Sequence, residues 1–564
     1  ENTKDYDNAI KIIESIDQPN EKLKEAYQKI CYQKGLQEYN NKAYEGALAY
    51  FIKSDKYPIN KSIKTLISFW KGDIYHLKKD FPASIEQIDD FIADYKLVKV
   101  TSDISTLPVA QYILGFSQFK LENYSAALKS FEAAVSGIKK NPKIKDAFVK
   151  KNVLGDAVMK AGDCNFKKNN YKEALALYNE AIDNKYEGFI YAMFQKGIIQ
   201  GLDGEKQDKI NTLSEIPNRY PNSLYADLAL YELGKTHQEM EAYKLAKGPL
   251  TKLVTNYKDK SKLVNKSYIL LGLISYNSGE KESALTYYKN VFNNNPSKED
   301  AEYARAAIEE IYLEMGRADD YIEYIETIPG YKMSKDSKDS LNFRVAQNHF
   351  ELGNWQNAIT GFDEYLKKFP NGANTLQAYY SRGESYLALK KYDKALLDFE
   401  KVIEKGNSDY YVVSLDKAAI IAYHHSSAFA QAYTYYSKLE KVARTEDKQF
   451  QAQLGALRSA HRSQNQEGVA EYAVKVANNP KSSADEKALS NYYLGKLNYD
   501  RNDLSKATEY FSKALKGGEN EQTAESRYMI AKINYDQEKW DEAEQACNTA
   551  IEGNSGFPYW IAKS

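Results

Sequence analysis

A chain of 564 residues with 77 Lys and Arg against 78 Asp and Glu has room for several domains or one long repeat array, and its balanced charge lacks the signature of a general nucleic-acid binder. Charged residues at 27% and hydrophobic ones at 43% argue against wholesale disorder. No apolar run reaches about 18 residues, and the opening Glu1-Asn2-Thr3-Lys4-Asp5-Tyr6 has neither the basic nor the apolar region of a signal peptide.

Taken in chain order, Asp7 to Ile16 reads as the second helix of a hairpin whose first helix is missing. A pattern then begins: Gly35, Ala47, Phe51. It returns as Gly115, Ala127, Phe131, Ala134 and as Gly162, Ala174, Tyr178, Ala181. Farther on come Gly234, Ala246, Leu250; then Gly272, Ala284, Tyr288; then Ala346, Ala358, Phe362. Gly383, Ala395, Phe399 and Gly495, Ala507, Phe511, Ala514 follow, and Ala531, Ala543, Cys547, Ala550 close the series. The small residue of the second helix falls at 9, 47, 84, 127, 174, 209, 246, 284, 321, 358, 395, 432, 470, 507 and 543. Its steps run from 35 to 38, apart from one of 43 and one of 47. Ser84, Lys209 and Tyr321 make three copies degenerate, yet the period carries through them.

The period is that of a helical hairpin. Apolar residues recur at three- and four-residue spacing, as in Ala395, Leu396, Phe399, Val402 and Ile403. Short polar turns such as Leu352-Gly353-Asn354-Trp355 and Gln537-Glu538-Lys539-Trp540 join the two helices. Pro and Asn-Gly signals separate hairpins at Tyr220-Pro221, Asn295-Pro296, Phe369-Pro370-Asn371-Gly372 and Asn479-Pro480. One hairpin cannot bury its apolar face alone, so neighbours must stack. The long steps predict longer helices or inserted loops near 95–108 and 136–153, the second containing Lys139-Lys140-Asn141-Pro142-Lys143. The Lys-, Ser- and Asp-rich run 332–340 reads as a polar linker, with a hinge or docking loop as the functional alternative. The expected divisions are an N-terminal array over 1–189, a regular array over 190–331, the linker 332–340 and a C-terminal array over 341–564. Tyr559 to Ser564 reads as a first helix cut short, so a longer parent protein is expected.

These units, with Gly eight places in, Ala twelve later, an aromatic four beyond and Pro near the end, resemble the tetratricopeptide (TPR) repeat over nearly the whole chain. The resemblance implies an all-α, right-handed superhelical solenoid of about fourteen hairpins. It also implies a protein-interaction scaffold whose first helices line the inner face. The Tyr/Phe-Pro units at 220–234 and 369–383 resemble periplasmic TPR proteins of bacterial outer-membrane assembly and the Tol–Pal system. That likeness places the protein in the periplasm or at the outer membrane, with any peripheral or lipid-anchored membrane association lying outside this chain.

On the implied inner face, the fifth place of nine units is aromatic: Tyr32, Phe69, Tyr112, Phe194, Tyr231, Phe343, Tyr380, Tyr492 and Tyr528. Phe116, Phe119 and Phe166 lie near it. The candidate partner-binding set is Tyr112, Phe116, Phe119, Phe194, Tyr231, Phe343, Tyr380, Tyr492 and Tyr528. Rigid rings in a groove would supply contact area for a protein or peptide segment; the alternative is packing between neighbouring first helices. The TPR carboxylate clamp needs Asn just after the Gly, and here that place holds Leu36, Asp73, Phe116, Asp163, Ile198, Lys235, Leu273, Gln347, Glu384 and Lys496.

Chemistry is scarce. His76, His237, His349, His424, His425 and His461 make no two-His metal spacing on one helix face, and Cys31, Cys164 and Cys547 are too dispersed for a zinc site. No nucleophile elbow, phosphate loop or dinucleotide motif occurs. The sequence therefore reads as a non-enzymatic scaffold with no catalytic residue, metal or cofactor and no nucleic-acid partner. Two alternatives stand beside it: a carbohydrate- or peptidoglycan-binding module, and an accessory arm of an enzyme whose catalytic domain lies outside this fragment.

Overall fold

In the computed structural model, residues 5–98, 100 and 106–564 are described, and among them all regular structure is helical. Tyr6–Glu14 comes first. Fourteen antiparallel hairpins follow, from Glu21–Asn40 with Tyr44–Asp55 to Glu521–Asp536 with Trp540–Gly553, and Pro558–Lys563 closes the chain. The expected all-α array of about fourteen hairpins is what the chain forms.

Among the described residues, nine hairpins are held by a close approach, in which a glycine of the first helix lies under the side chain sixteen positions later on the second. A Cβ added to Gly272 would come 2.7 Å from the Tyr288 ring, one on Gly495 2.7 Å from Phe511, and one on Gly197 2.5 Å from Leu213. Such distances lie inside van der Waals contact, so the first helix can hold only glycine there without moving its partner. Of the small residues of the second helices, Ala47, Ala127, Ala174, Ala284, Ala395 and Ala507 expose no surface at all. The degenerate copies keep the burial by other means. Ser84 is buried and meets Ser117 Oγ at 3.2 Å. Lys209 lies over Gly201 with its ammonium 2.7 Å from Glu232. Tyr321 is buried with its hydroxyl 3.2 Å from a Glu309 oxygen.

The turns are equally regular. The residue that ends each first helix is left-handed, as at Lys42, Lys79, Glu122, Asn169, Gly204 and Glu241. The next N–H donates back to the carbonyl five residues earlier, for example Ala43 to Glu38 and Asn170 to Asn165, which is the Schellman arrangement. This closes the first helix in one residue and sends the chain straight back.

The chain divides into two compact units, residues 1–304 and 305–564, so the boundary falls inside the helix Lys298–Glu314. The polar run expected as a linker over 332–340 is helical from Lys335, because Ser334 caps the Ser337 N–H and opens the helix Lys335–Glu351. Asp339 in that run is buried and accepts from the Tyr365 hydroxyl and, at 2.7 Å, from the Ala373 N–H, so the polar residues close a hairpin joint. Of the inserted loop expected near 95–108, residues 99 and 101–105 lie outside the described residues. The insertion at 136–153 is ordered. Ile144, Val149 and Val153 are buried in the core, and Val149–Val153 form a π-helical turn leading into Leu154–Lys167.

If the close approach sets the hairpin register, Ala395→Trp must force apart helices that leave Ala395 no exposed surface. The expected cost is about 1–3 kcal/mol or more. Thermal unfolding should show a lower midpoint, and an unchanged curve contradicts the register.

Candidate functional site

The inserted segment walls a cleft of about 560 Å³ in the first unit. Tyr112 comes from Thr106–Lys120, Asp156, Met159 and Lys160 from Leu154–Lys167, and Tyr191 from Phe189–Leu202. Tyr225 stands at the start of Ala226–Glu239. Four consecutive first helices thus contribute to one cavity. Phe148, Asn152 and Val153 of the insertion and Glu187 and Gly188 of an inter-hairpin turn complete it.

Local rules explain how these side chains are held. Asp146 accepts from the N–H groups of Phe148 (2.8 Å) and Val149 (3.2 Å), capping the turn that opens the π-helical stretch. With Val149 and Val153 turned into the core, Phe148 is left 64% exposed. π-helical turns inside α-helices recur at functional sites. Gly188 has a φ of +88°, and a Cβ there would lie 2.9 Å from Met159 Cε, so glycine lets the turn pass close over the cleft floor.

Beneath the cleft Asp163 organises a polar network. The Tyr178 and Tyr191 hydroxyls each donate to Asp163 Oδ1 at 2.7 Å, and the Lys160 ammonium lies 2.7 Å from Oδ2. The ammonium also stands 5.6 Å from the Phe119 ring and 5.5 Å from the Tyr191 ring, within cation–π range. Burial opposes the Lys160 charge, but Asp163 outweighs it, and the pKa lies above the ordinary lysine value. Nearer the rim, the Tyr112 hydroxyl donates to Asp156 at 2.6 Å, and the Asn152 amide donates to Glu187. Burial first, and then the neighbouring carboxylates, raise the pKa of Tyr112 and Tyr191; burial likewise raises that of Tyr225. The phenols therefore remain protonated, offering neutral ring faces. Tyr191 and Tyr225 lie 5.6 Å apart between centroids.

Of the predicted aromatics, the cleft itself takes Tyr112. Phe119 backs Lys160, Phe194 backs Tyr225 at 5.8 Å, and Phe116 packs between Tyr112 and His76. The others stand elsewhere. Tyr231 is half-buried in the first unit. In the second, Phe343 and Tyr492 are buried, Tyr380 stacks on Tyr410 at 5.0 Å, and Tyr528 lies 5.6 Å from Trp560. Five of the fifth-place rings meet the second-helix ring nineteen residues on: Tyr32 with Phe51, Tyr112 with Phe131, Phe343 with Phe362, Tyr380 with Phe399 and Tyr492 with Phe511. Sequence reading did not find Phe148, Asp156, Lys160, Tyr191 or Tyr225. A signal existed for two of them: Asp156 and Tyr191 sit six places before Gly162 and Gly197, one helical turn upstream of the fifth place. Among the described residues no cluster of three or more His, Cys, Asp or Glu is placed to hold a metal, and no helix is long and apolar enough to cross a membrane.

Family models described as tetratricopeptide repeat match residues 344–410 and 492–557, and a second such model matches 156–186 and 191–223. The last two segments carry Asp156, Lys160 and Tyr191 of the cleft. No curated protein matches in sequence. Among solved structures, a tetratricopeptide repeat protein from Parabacteroides merdae is 15% identical, with 56% of this chain and 98% of that one covered and a TM-score of 0.30. The C-terminal part of a TPR repeat-containing protein from Cytophaga hutchinsonii is also 15% identical, covering 55% and 98% with a TM-score of 0.34.

The network yields a stability test. Asp163→Ala removes the acceptor of the fully buried Tyr178 hydroxyl, of Tyr191 and of the Lys160 ammonium. A loss of about 1–3 kcal/mol or more is expected in urea unfolding. Asp156→Asn, which preserves an acceptor for Tyr112, should remain close to the parent; equal losses in the two variants would contradict the assignment.

Proposed function

We propose that this chain, which belongs to the tetratricopeptide repeat family, is a scaffold that binds protein partners, and that the cleft beside Lys160 grips one of them. Tetratricopeptide repeats generally mediate protein–protein interaction. The observation that carries the assignment to this cleft is Phe148. An inserted, capped and core-anchored segment holds a large apolar ring 64% exposed opposite three tyrosines. A ring ordered in this way contributes contact area at low entropic cost when a partner covers it. The polar groups below it are already paired with one another, which suits a binding surface better than a catalytic one. Within the first unit, Phe116, Phe119, Phe194 and Tyr231 extend or support this face, and Phe343, Tyr380, Tyr492 and Tyr528 serve the first-helix face of the second unit. We place the protein in the bacterial cell envelope; that placement rests on the Tyr/Phe-Pro units at 220–234 and 369–383.

Photocrosslinking in the native cell tests the reading. With Phe148→p-benzoylphenylalanine in the full-length protein, discrete protein adducts are expected, recovered from the envelope fraction. The same probe at Leu397, an exposed second-helix position in the other unit, should not give them. Identical adducts at both positions would count against the cleft. Adducts carrying only saccharide would favour a glycan-binding module, and recovery from the cytoplasm would overturn the envelope placement.

A further inference from the structure

The charge balance of the cleft identifies what it accepts. Three carboxylates, Asp156, Asp163 and Glu187, stand against one ammonium, Lys160. Asp163 is fully engaged: it meets Lys160 and accepts from two tyrosines. Asp156 takes one tyrosine hydroxyl and Glu187 one amide. Among the described residues, neither is ion-paired with a lysine or arginine. The cleft therefore presents two uncompensated negative charges beside the rings of Tyr112, Phe148, Tyr191 and Tyr225. An acidic segment would meet repulsion there. A purely apolar one would bury carboxylates without a cation, which costs more than the contact returns.

We infer that the cleft takes a lysine or arginine side chain of a partner protein, with its charged end between Asp156 and Glu187 and its aliphatic stem among the aromatic rings. The inference rests on the partner-binding reading above and adds the partner's chemistry. The protein already contains an internal copy of the arrangement. Lys160 pairs with a carboxylate while lying 5.5 Å and 5.6 Å from two aromatic rings. A basic side chain from outside repeats this pairing one layer nearer solvent. Its long stem suits an amphipathic slot, apolar along its length and charged at its end. Because Asp163 offsets Lys160, the charge the newcomer meets is negative.

The test uses a phage-displayed library of random 12-residue peptides panned on the full chain, with selected peptides synthesised and measured by fluorescence anisotropy. Peptides that depend on the cleft, identified by weaker binding to Phe148→Ala, should share a Lys or Arg. Replacing that residue by norleucine should lower affinity about ten-fold or more in the parent, and by much less in the Asp156→Asn/Glu187→Gln double variant. Circular dichroism and the unfolding midpoint of the double variant confirm that it is folded. Cleft-dependent peptides that lack a basic residue, or that bind the double variant as tightly as the parent, overturn the inference and leave the binding cleft standing. A library from which no peptide is weakened by Phe148→Ala overturns the cleft reading as well.

Discussion

Most of this fold depends on one recurring contact, a residue without a side chain on the first helix lying under a ring or branched side chain on the second. Gly35 with Phe51, Gly115 with Phe131, Gly162 with Tyr178, Gly383 with Phe399 and Gly495 with Phe511 repeat it at the same separation. The contact fixes helix spacing and register together, because either a slide or a rotation would drive backbone into the ring. Its strength shows in what the turns tolerate. At Lys42, Glu122, Lys390 and Glu538 a non-glycine residue holds a positive φ, a conformation that costs roughly 1–2 kcal/mol for an ordinary residue. Such turns persist because the packing on either side over-determines them.

A lattice this regular has little room for a site of its own, and the cleft arises where the lattice is interrupted. The extra residues between Lys139 and Leu154 are anchored through Ile144, Val149 and Val153, so they cannot lie flat as solvent loop. Their one large apolar side chain left outside the core, Phe148, is delivered to the face that the first helices share. The neighbouring hairpins keep the repeat's geometry and supply tyrosines at fixed intervals. The insertion supplies the asymmetry that turns a periodic face into a cavity.

The hairpin count and most of the register were legible because each follows from spacing along the chain. Ser84, Lys209 and Tyr321 show why: the position is defined by burial, and even a lysine fills it when Glu232 meets its charge. In the helix Gln466–Asn478, Gly468 and Tyr472 take the buried positions where the spacing pointed to Ala470. What spacing could not reveal was pairing between hairpins. Tyr112 finds Asp156 and Asn152 finds Glu187 only after neighbouring hairpins are stacked, and no local pattern announces those partners. The run 332–340 misled for a related reason. Its composition is that of a linker, yet Ser334 is a helix cap and Asp339 is an acceptor for backbone and tyrosine groups that lie more than twenty residues away.

The aromatic fifth place shows how one position can carry two meanings. A ring there touches the second-helix ring nineteen residues on, so it belongs first to the interior of its own hairpin. One turn toward the N-terminus, the same helix face has left that ring behind and meets the next hairpin and solvent; Asp156 and Tyr191 occupy this level. A residue at the fifth place changes stability and surface together, whereas one a turn upstream can change the surface while the hairpin contact is kept. Tyr112 joins the two levels, its ring against Phe131 and its hydroxyl on Asp156. Variation in recognition within such an array is therefore freest one turn above the contact that builds it, and the acidic and aromatic character of this cleft sits at that level.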